Sequence, residues 1–121
     1  MTSGPICIIG AGAAGLCAAR HLAPLKEFQP VVYEQTSSLG GTWVYNPKTG
    51  VDENGLAIHS SMYKGLKTNL PKEVMAFPDF PFRENKDSFL HHSQVLQYLE
   101  SYAQHYDLHR CPINESVPNI D

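Results

Sequence analysis

The sequence predicts an α/β fold built on a βαβ unit with parallel strands. Three observations carry this: a β-branched apolar run at Pro5–Ile9, a helix-forming stretch from Ala13 to Leu22, and a second β-branched run, Pro30-Val-Val-Tyr-Glu34. The first run has the pattern of a strand buried on both faces of a parallel sheet, and it stops at Gly10. Strong helix formers follow, with Leu16, Ala19 and Leu22 at helical spacing and Pro24 closing the segment. Strand, turn, helix and strand within one short stretch make the unit. From Gln35 to about Leu56 the chain is rich in Gly, Ser, Thr, Asn and Pro. That composition predicts loops, with one small hairpin around Asn46-Pro47-Lys48-Thr49-Gly50. A short helix is expected over Ser60–Leu66, and Phe77–Arg83, where prolines alternate with aromatics, is expected to be extended. Val95, Leu96, Tyr98, Leu99, Tyr102, Ala103 and Tyr106 predict an amphipathic helix over Ser93–Tyr106 with Ser93 as its N-cap. Residues after Leu108 carry two prolines and no alternation, so 111–121 reads as an irregular tail behind one region, 1–110.

Length and composition narrow the function. A chain of 121 residues with 42% hydrophobic and 17% charged side chains has ordinary globular usage and suits one domain. A net charge of −3 without a basic block argues against a nucleic-acid partner. Three cysteines, Cys7, Cys17 and Cys111, form no CxxC pair, so neither a disulfide framework nor a metal site is expected, and a reducing compartment fits best. The apolar run Ile6–Ala19 has no Lys or Arg before it and is too short to span a bilayer. His59 and the pair His91-His92 lack metal-ligand spacing and read as surface or loop residues. Two parallel strands cannot cover both faces of a sheet, so the sequence is expected to be the incomplete N-terminal part of a larger protein.

Between the first strand and the helix lies Gly10-Ala11-Gly12-Ala13-Ala14-Gly15. A G-x-G-x-x-G is weak alone, but after a buried strand and before a helix it is the phosphate turn of a Rossmann-like dinucleotide site. Gly10 makes the tight turn, Gly12 lets the backbone approach a pyrophosphate, and Gly15 permits close helix packing. The first-turn amides and the positive helix end then face the phosphates. Glu34 closes the second strand 24 residues after Gly10, where a carboxylate accepts from a ribose and repels a 2′-phosphate, favouring FAD or NAD over NADP.

A second glycine pair, in Gly40-Gly41-Thr42-Trp43, can bring a loop close over a pyrophosphate and ribityl chain. With it, the sequence resembles the FAD-binding N-terminal region of the flavin-containing monooxygenases. The likeness rests on Gly10–Gly15, Glu34-Gln35, Gly40–Trp43, Ser61-Met62-Tyr63, Lys67-Thr68-Asn69, Lys72-Glu73-Val74-Met75 and Phe77-Pro78-Asp79-Phe80-Pro81-Phe82, over about residues 4 to 108. The Thr-Asn, Lys-Glu and Phe-Pro-Asp-Phe-Pro-Phe combination is similar to the dimethylaniline-type members. The resemblance implies a Rossmann-like FAD-binding unit of an NADPH-dependent enzyme that oxygenates soft nitrogen or sulfur nucleophiles through a C4a-hydroperoxyflavin. Its partners would be an amine or sulfide and dioxygen. It implies FAD contacts from Gly10, Gly12, Ala13, Ala14, Gly15, Glu34, Gln35, Gly41, Thr42, Trp43, Thr68 and Asn69, with Asn69 the catalytic residue beside the flavin edge.

The family's second glycine fingerprint, for NADPH, and its Phe-x-Gly-x-x-x-His-x-x-x-Tyr signature do not occur in these 121 residues. The isolated chain is therefore expected to be inactive. A non-catalytic FAD- or NAD-binding fragment, or a product acting through a partner, stays open as an alternative. Localisation is read as cytoplasmic, with the cytosolic face of the endoplasmic reticulum open for the complete protein.

Overall fold

A computed structural model describes residues 4–53, 55–58, 60–110 and 113–114. They form two compact units, one drawn from 1–41 and 99–121, the other from 42–98.

The first unit contains the βαβ motif: strand β1 (Gly4–Ile9), helix α1 (Ala13–Leu22) and strand β2 (Phe28–Tyr33). The strands run parallel with Cys7 opposite Val31 and Ile8 opposite Val32. Ile8 and Val32 point to the face that α1 covers, and with Leu16 and Ala19 they are buried. Burying each large aliphatic side chain of this set contributes on the order of 1.5–3 kcal/mol. Ala11 and Ala19 are both fully buried, as close contact between a helix and a strand backbone requires. The expected burial of β1 on both faces does not hold. Pro5, Cys7 and Ile9 alternate outward and are exposed, Ile9 by 54%, because one helical layer covers one face of the sheet.

Of the tail expected to be irregular, 111–121, only 113–114 lies among the described residues. Ile113–Asn114 forms strand β3, parallel to β2 and opposite Val32–Tyr33, giving the order β1-β2-β3. A two-residue strand at the end of the sheet order needs few ladder donors. The second half of helix α3 (His92–His105) belongs to this unit and buries Leu99, Tyr102 and Ala103. Its end turns at Asp107, with φ of 54°.

The second unit holds the short helix α2 (Lys72–Met75), the first half of α3 and the intervening loops. Helix α3 begins one residue before the expected Ser93 cap, and His91 caps it instead. The Ser93 amide donates to His91 Nδ1 at 3.2 Å while the His91 amide donates to Gln94 Oε1 at 3.1 Å, a reciprocal arrangement like a capping box. His92, read from sequence as a surface or loop residue, is buried, its Nε2 bonding the Lys64 carbonyl at 2.9 Å. His59 lies outside the described residues.

Three local expectations fail for physical reasons. Ser60–Leu66 is a loop with a turn at Lys64-Gly65, because the Lys64 carbonyl is claimed by the rings of His91 and His92 rather than by a helix. The small hairpin lies at 50–58, where Val51 pairs with Ala57 and Gly50 and Gly55 take positive φ, while Asn46 only accepts from the Lys48 amide in a local turn. Phe77–Phe80 is a tight turn with Phe80 N donating to Phe77 O at 3.1 Å. Pro78 stands at the second turn position, which its ring pre-shapes. Tyr98 holds this turn: its hydroxyl accepts from Phe77 N at 2.9 Å and donates to Phe80 O at 2.6 Å, and its ring stacks on Phe82 with centroids 3.8 Å apart. The three phenylalanines thus pack within the protein, as their density in the sequence suggests.

Candidate functional site

In the first unit, glycine geometry shapes the start of α1. Gly10 has φ of +99° and donates to the Tyr33 carbonyl at 2.7 Å, which ties the turn to the end of β2. A Cβ on Gly15 would fall 1.9 Å from the Gly10 carbonyl oxygen, so the helix can pass over the turn only with glycine there. The Gly40 amide donates to the Ala11 carbonyl at 2.9 Å, and Gly41, with φ of +59°, lies so near that its Cβ would sit 3.0 Å from Gly12 Cα. The second glycine pair therefore rests against the first turn.

Gly12 occupies the N-cap of α1 without any side-chain cap, and no acidic residue stands in the first turn. Ala13 and Ala14 beside it are exposed. The positive helix end is thus left open in a cradle that any Cβ would narrow, a donor set that fits a diphosphate. Glu34 is only 8% exposed and fully oriented. Its Oε1 accepts from the Ala11 amide at 2.9 Å, and its Oε2 accepts from the Thr36 amide and hydroxyl, each at 2.8 Å. Gln35 is exposed next to it. Thr36 escaped the sequence reading, although a hydroxyl two residues after a strand-ending carboxylate is a recognisable turn signal.

The second unit contains a cleft of about 320 Å³ lined by Thr42 and Trp43, Ser61–Tyr63, and Leu66–Asn69. It gathers four residues singled out in the sequence: Thr42, Trp43, Thr68 and Asn69. Their situations differ. Thr68 is buried, its amide bonds Leu90 O at 2.8 Å, and its hydroxyl accepts from Leu90 N at 3.1 Å while donating to Leu70 O at 2.8 Å. That hydroxyl fixes the strand-like segment under the cleft, whereas Asn69, the next residue, is exposed at its rim. Ser61, Met62, Tyr63, Leu66 and Lys67 line the same space without having been singled out as site residues. Nothing in their spacing marks a cleft formed by three separate loops.

Lys72 is buried nearby in sequence but serves the scaffold, its ammonium donating to the Asn85 and Asp87 carbonyls, the latter at 2.7 Å. Glu73 accepts from the Ser88 hydroxyl at 3.0 Å. Hydrogen bonding by its backbone first, then by Ser88, holds its carboxyl below the usual range. No helix among the described residues is long and apolar enough to cross a membrane.

Against known families, the chain from residue 4 to 114 matches the model described as flavin-binding monooxygenase-like. The chain belongs to this family. The match extends through β3. Among its relatives, a senecionine N-oxygenase of Tyria jacobaeae is 39% identical over 103 residues, covering 85% of this chain and 22% of that protein. The flavin-containing monooxygenase FMO GS-OX5 of Arabidopsis thaliana is 43% identical over 116 residues, covering 85% and 25%. Among solved structures, the S-allyl-L-cysteine S-oxygenase from Allium sativum superposes with a TM-score of 0.83 at 39% identity, over 100% of this chain and 30% of that one. The chain spans about a quarter of the length of these curated relatives.

Proposed function

We propose that this chain is the FAD-binding portion of an NADPH-dependent monooxygenase that oxygenates soft nitrogen or sulfur nucleophiles. The observation that carries the reading is the open, uncapped first turn of α1 in its glycine cradle, with Glu34 oriented at the same turn. The amides of Ala13, Ala14 and Gly15 would bind the FAD diphosphate, and the remaining lone pairs of Glu34 would accept from the adenosine ribose. Ala11 and Thr36 hold that carboxylate in place, so no side-chain ordering is needed on binding.

FAD held by the glycine turn and Glu34 would supply the redox chemistry of such an enzyme. This chain's residues orient and shield. Thr68 fixes the backbone under the cleft, Trp43, Met62 and Leu66 would shield a bound planar ring from water, and the Asn69 amide would offer it directional hydrogen bonds. Two of the named relatives oxygenate nitrogen and sulfur respectively, by their names, and this supports the substrate chemistry assigned. The 121 residues hold one glycine sextet, and Glu34 would repel the 2′-phosphate of NADPH from it. The NADPH site of the active enzyme is therefore assigned to other residues, and the purified chain alone should not consume NADPH.

The test is retention of flavin. Protein purified after incubation with FAD should carry the visible flavin band at one equivalent, and Gly12→Val should lose it. Equal retention by both proteins would remove the glycine turn from the site.

A further inference from the structure

Glu34 directly follows β2, and its buried carboxylate is held from two directions. On one side the Ala11 amide donates to Oε1 at 2.9 Å. On the other, Thr36 donates twice to Oε2, through its amide and through its hydroxyl, each at 2.8 Å. A threonine two residues after a carboxylate usually does no more than close a local turn. Here the amide alone closes that turn, so the hydroxyl is a second and separate donor. Its oxygen also lies 3.0 Å from the Ser38 carbonyl oxygen, in the loop whose Gly40 amide donates to the Ala11 carbonyl at 2.9 Å. Thr36 Oγ1 therefore stands between the carboxylate and the loop that seats the second glycine pair. A carboxylate has about four acceptor directions, and the three donors present leave Oε1 with one to offer a ligand. Pinning Oε2 fixes where that direction points.

We propose that Thr36 is a positioning residue for ribose recognition: its hydroxyl holds the Glu34 carboxylate in the orientation that accepts from a ribose hydroxyl. The role rests on the reading of the glycine turn as the FAD site, given above, and adds to it a residue that acts through Glu34. Without the hydroxyl, the carboxylate keeps its charge and two amide donors. It loses the side-chain tether on Oε2, so the group has to be ordered when the nucleotide arrives, and that ordering weakens binding. The loss is confined to ligands with ribose hydroxyls, because the amides at the start of α1 meet the diphosphate directly.

The experiment titrates the isotope-labelled chain with ADP and with 2′,3′-dideoxy-ADP, which share adenine and diphosphate and differ in the ribose hydroxyls. The Ala13 and Ala14 amide shifts give both dissociation constants. The native chain should prefer ADP by about tenfold, the scale of a hydrogen bond to a charged group. Thr36→Val should weaken ADP by about fivefold, the scale of ordering one side chain on binding, and leave dideoxy-ADP within about twofold. Thr36→Ser, which keeps the hydroxyl, should restore the native preference. In a Glu34→Ala background Thr36→Val should change neither constant, because the residue through which it acts is gone. A turn that merely folds less well would weaken both nucleotides together. The proposal is overturned by a native chain without ADP preference, by a native preference in Thr36→Val, or by an equal loss of both nucleotides. Thr36→Ser as weak as Thr36→Val, or losses additive with Glu34→Ala, also overturns it. The FAD-site reading is scored separately, with FAD and with inorganic pyrophosphate, which needs the turn but no ribose. Saturable shifts at Gly12–Gly15 together with an ADP preference unmoved in Thr36→Val sink only the role of Thr36. Absence of those shifts with FAD and pyrophosphate alike sinks the reading of the turn, and the proposal with it.

Discussion

Placing a methyl group on each glycine of the turn separates packing from binding. On Gly15 the new Cβ would lie 1.9 Å from the Gly10 carbonyl oxygen and 2.9 Å from its carbon, whereas real Cβ atoms essentially never come under 3.0 Å. Backbone obstructs it, so helix and turn must part by about 1 Å in a close-packed region. Overpacking of this kind costs about 1–3 kcal/mol, and the obstruction by main chain puts Gly15→Ala at the upper end. Better helix propensity offsets only about 0.5–1 kcal/mol. The net loss of about 2 kcal/mol is a large share of a domain stability of roughly 5–15 kcal/mol. On Gly12 the same methyl meets Gly41 Cα at 3.5 Å, an ordinary contact, with φ of −79°, so Gly12→Ala should cost under about 1 kcal/mol. Urea unfolding followed by circular dichroism measures both, and flavin titration accompanies it. Gly15→Ala should lower the midpoint markedly; Gly12→Ala should hold the midpoint and weaken FAD. A Gly15→Ala chain as stable as the native one, or a Gly12→Ala chain that unfolds earlier than Gly15→Ala, would refute this packing account.

Other outcomes follow from single contacts. Glu34→Ala removes the acceptor for Ala11 and Thr36 and for the ribose, and should weaken FAD by about 1.5–3 kcal/mol in a flavin titration, the scale of hydrogen bonds to a charged group. Thr68→Val strips the partner from the buried Leu90 amide and should destabilise the chain by about 1–3 kcal/mol in urea, with Thr68→Ser largely restoring it. In the FAD-loaded full-length enzyme, Asn69→Ala should lose oxygenation while keeping stoichiometric flavin, as read by product formation against the visible flavin band. The depressed Glu73 carboxyl stabilises the folded form above its unfolded pKa, and that contribution is lost as the pH falls through the folded value. An NMR titration should therefore show the Glu73 carboxyl titrating closer to its ordinary value in Ser88→Ala.

Much of the first unit is legible because local rules and tertiary structure agree there. Ala13–Leu22 is a helix of strong formers between a glycine turn and Pro24, and the burial of Leu16 and Ala19 follows its spacing. The glycines are legible because each meets a steric demand that no other residue satisfies, visible now at Gly10, Gly15 and Gly41. The second unit is less so, since its structure is decided by partners distant in sequence. The Lys64 carbonyl is taken by His91 and His92, and the turn at Phe77–Phe80 is closed by the Tyr98 hydroxyl. The cleft suffers most, because Trp43, Met62 and Lys67 come together through loop paths that carry no periodic signal. Strand β3 was hidden by its shortness: two residues cannot alternate visibly between prolines.

Binding of FAD at the glycine turn of the first unit is read from amide chemical shifts of the isotope-labelled chain, recorded as FAD is added. Saturable shifts are expected at Gly12, Ala13, Ala14 and Gly15, and at Ala11, whose amide reports on Glu34. Saturable FAD binding that leaves those five amides unmoved, or no binding by a chain whose spectrum is folded, would contradict it.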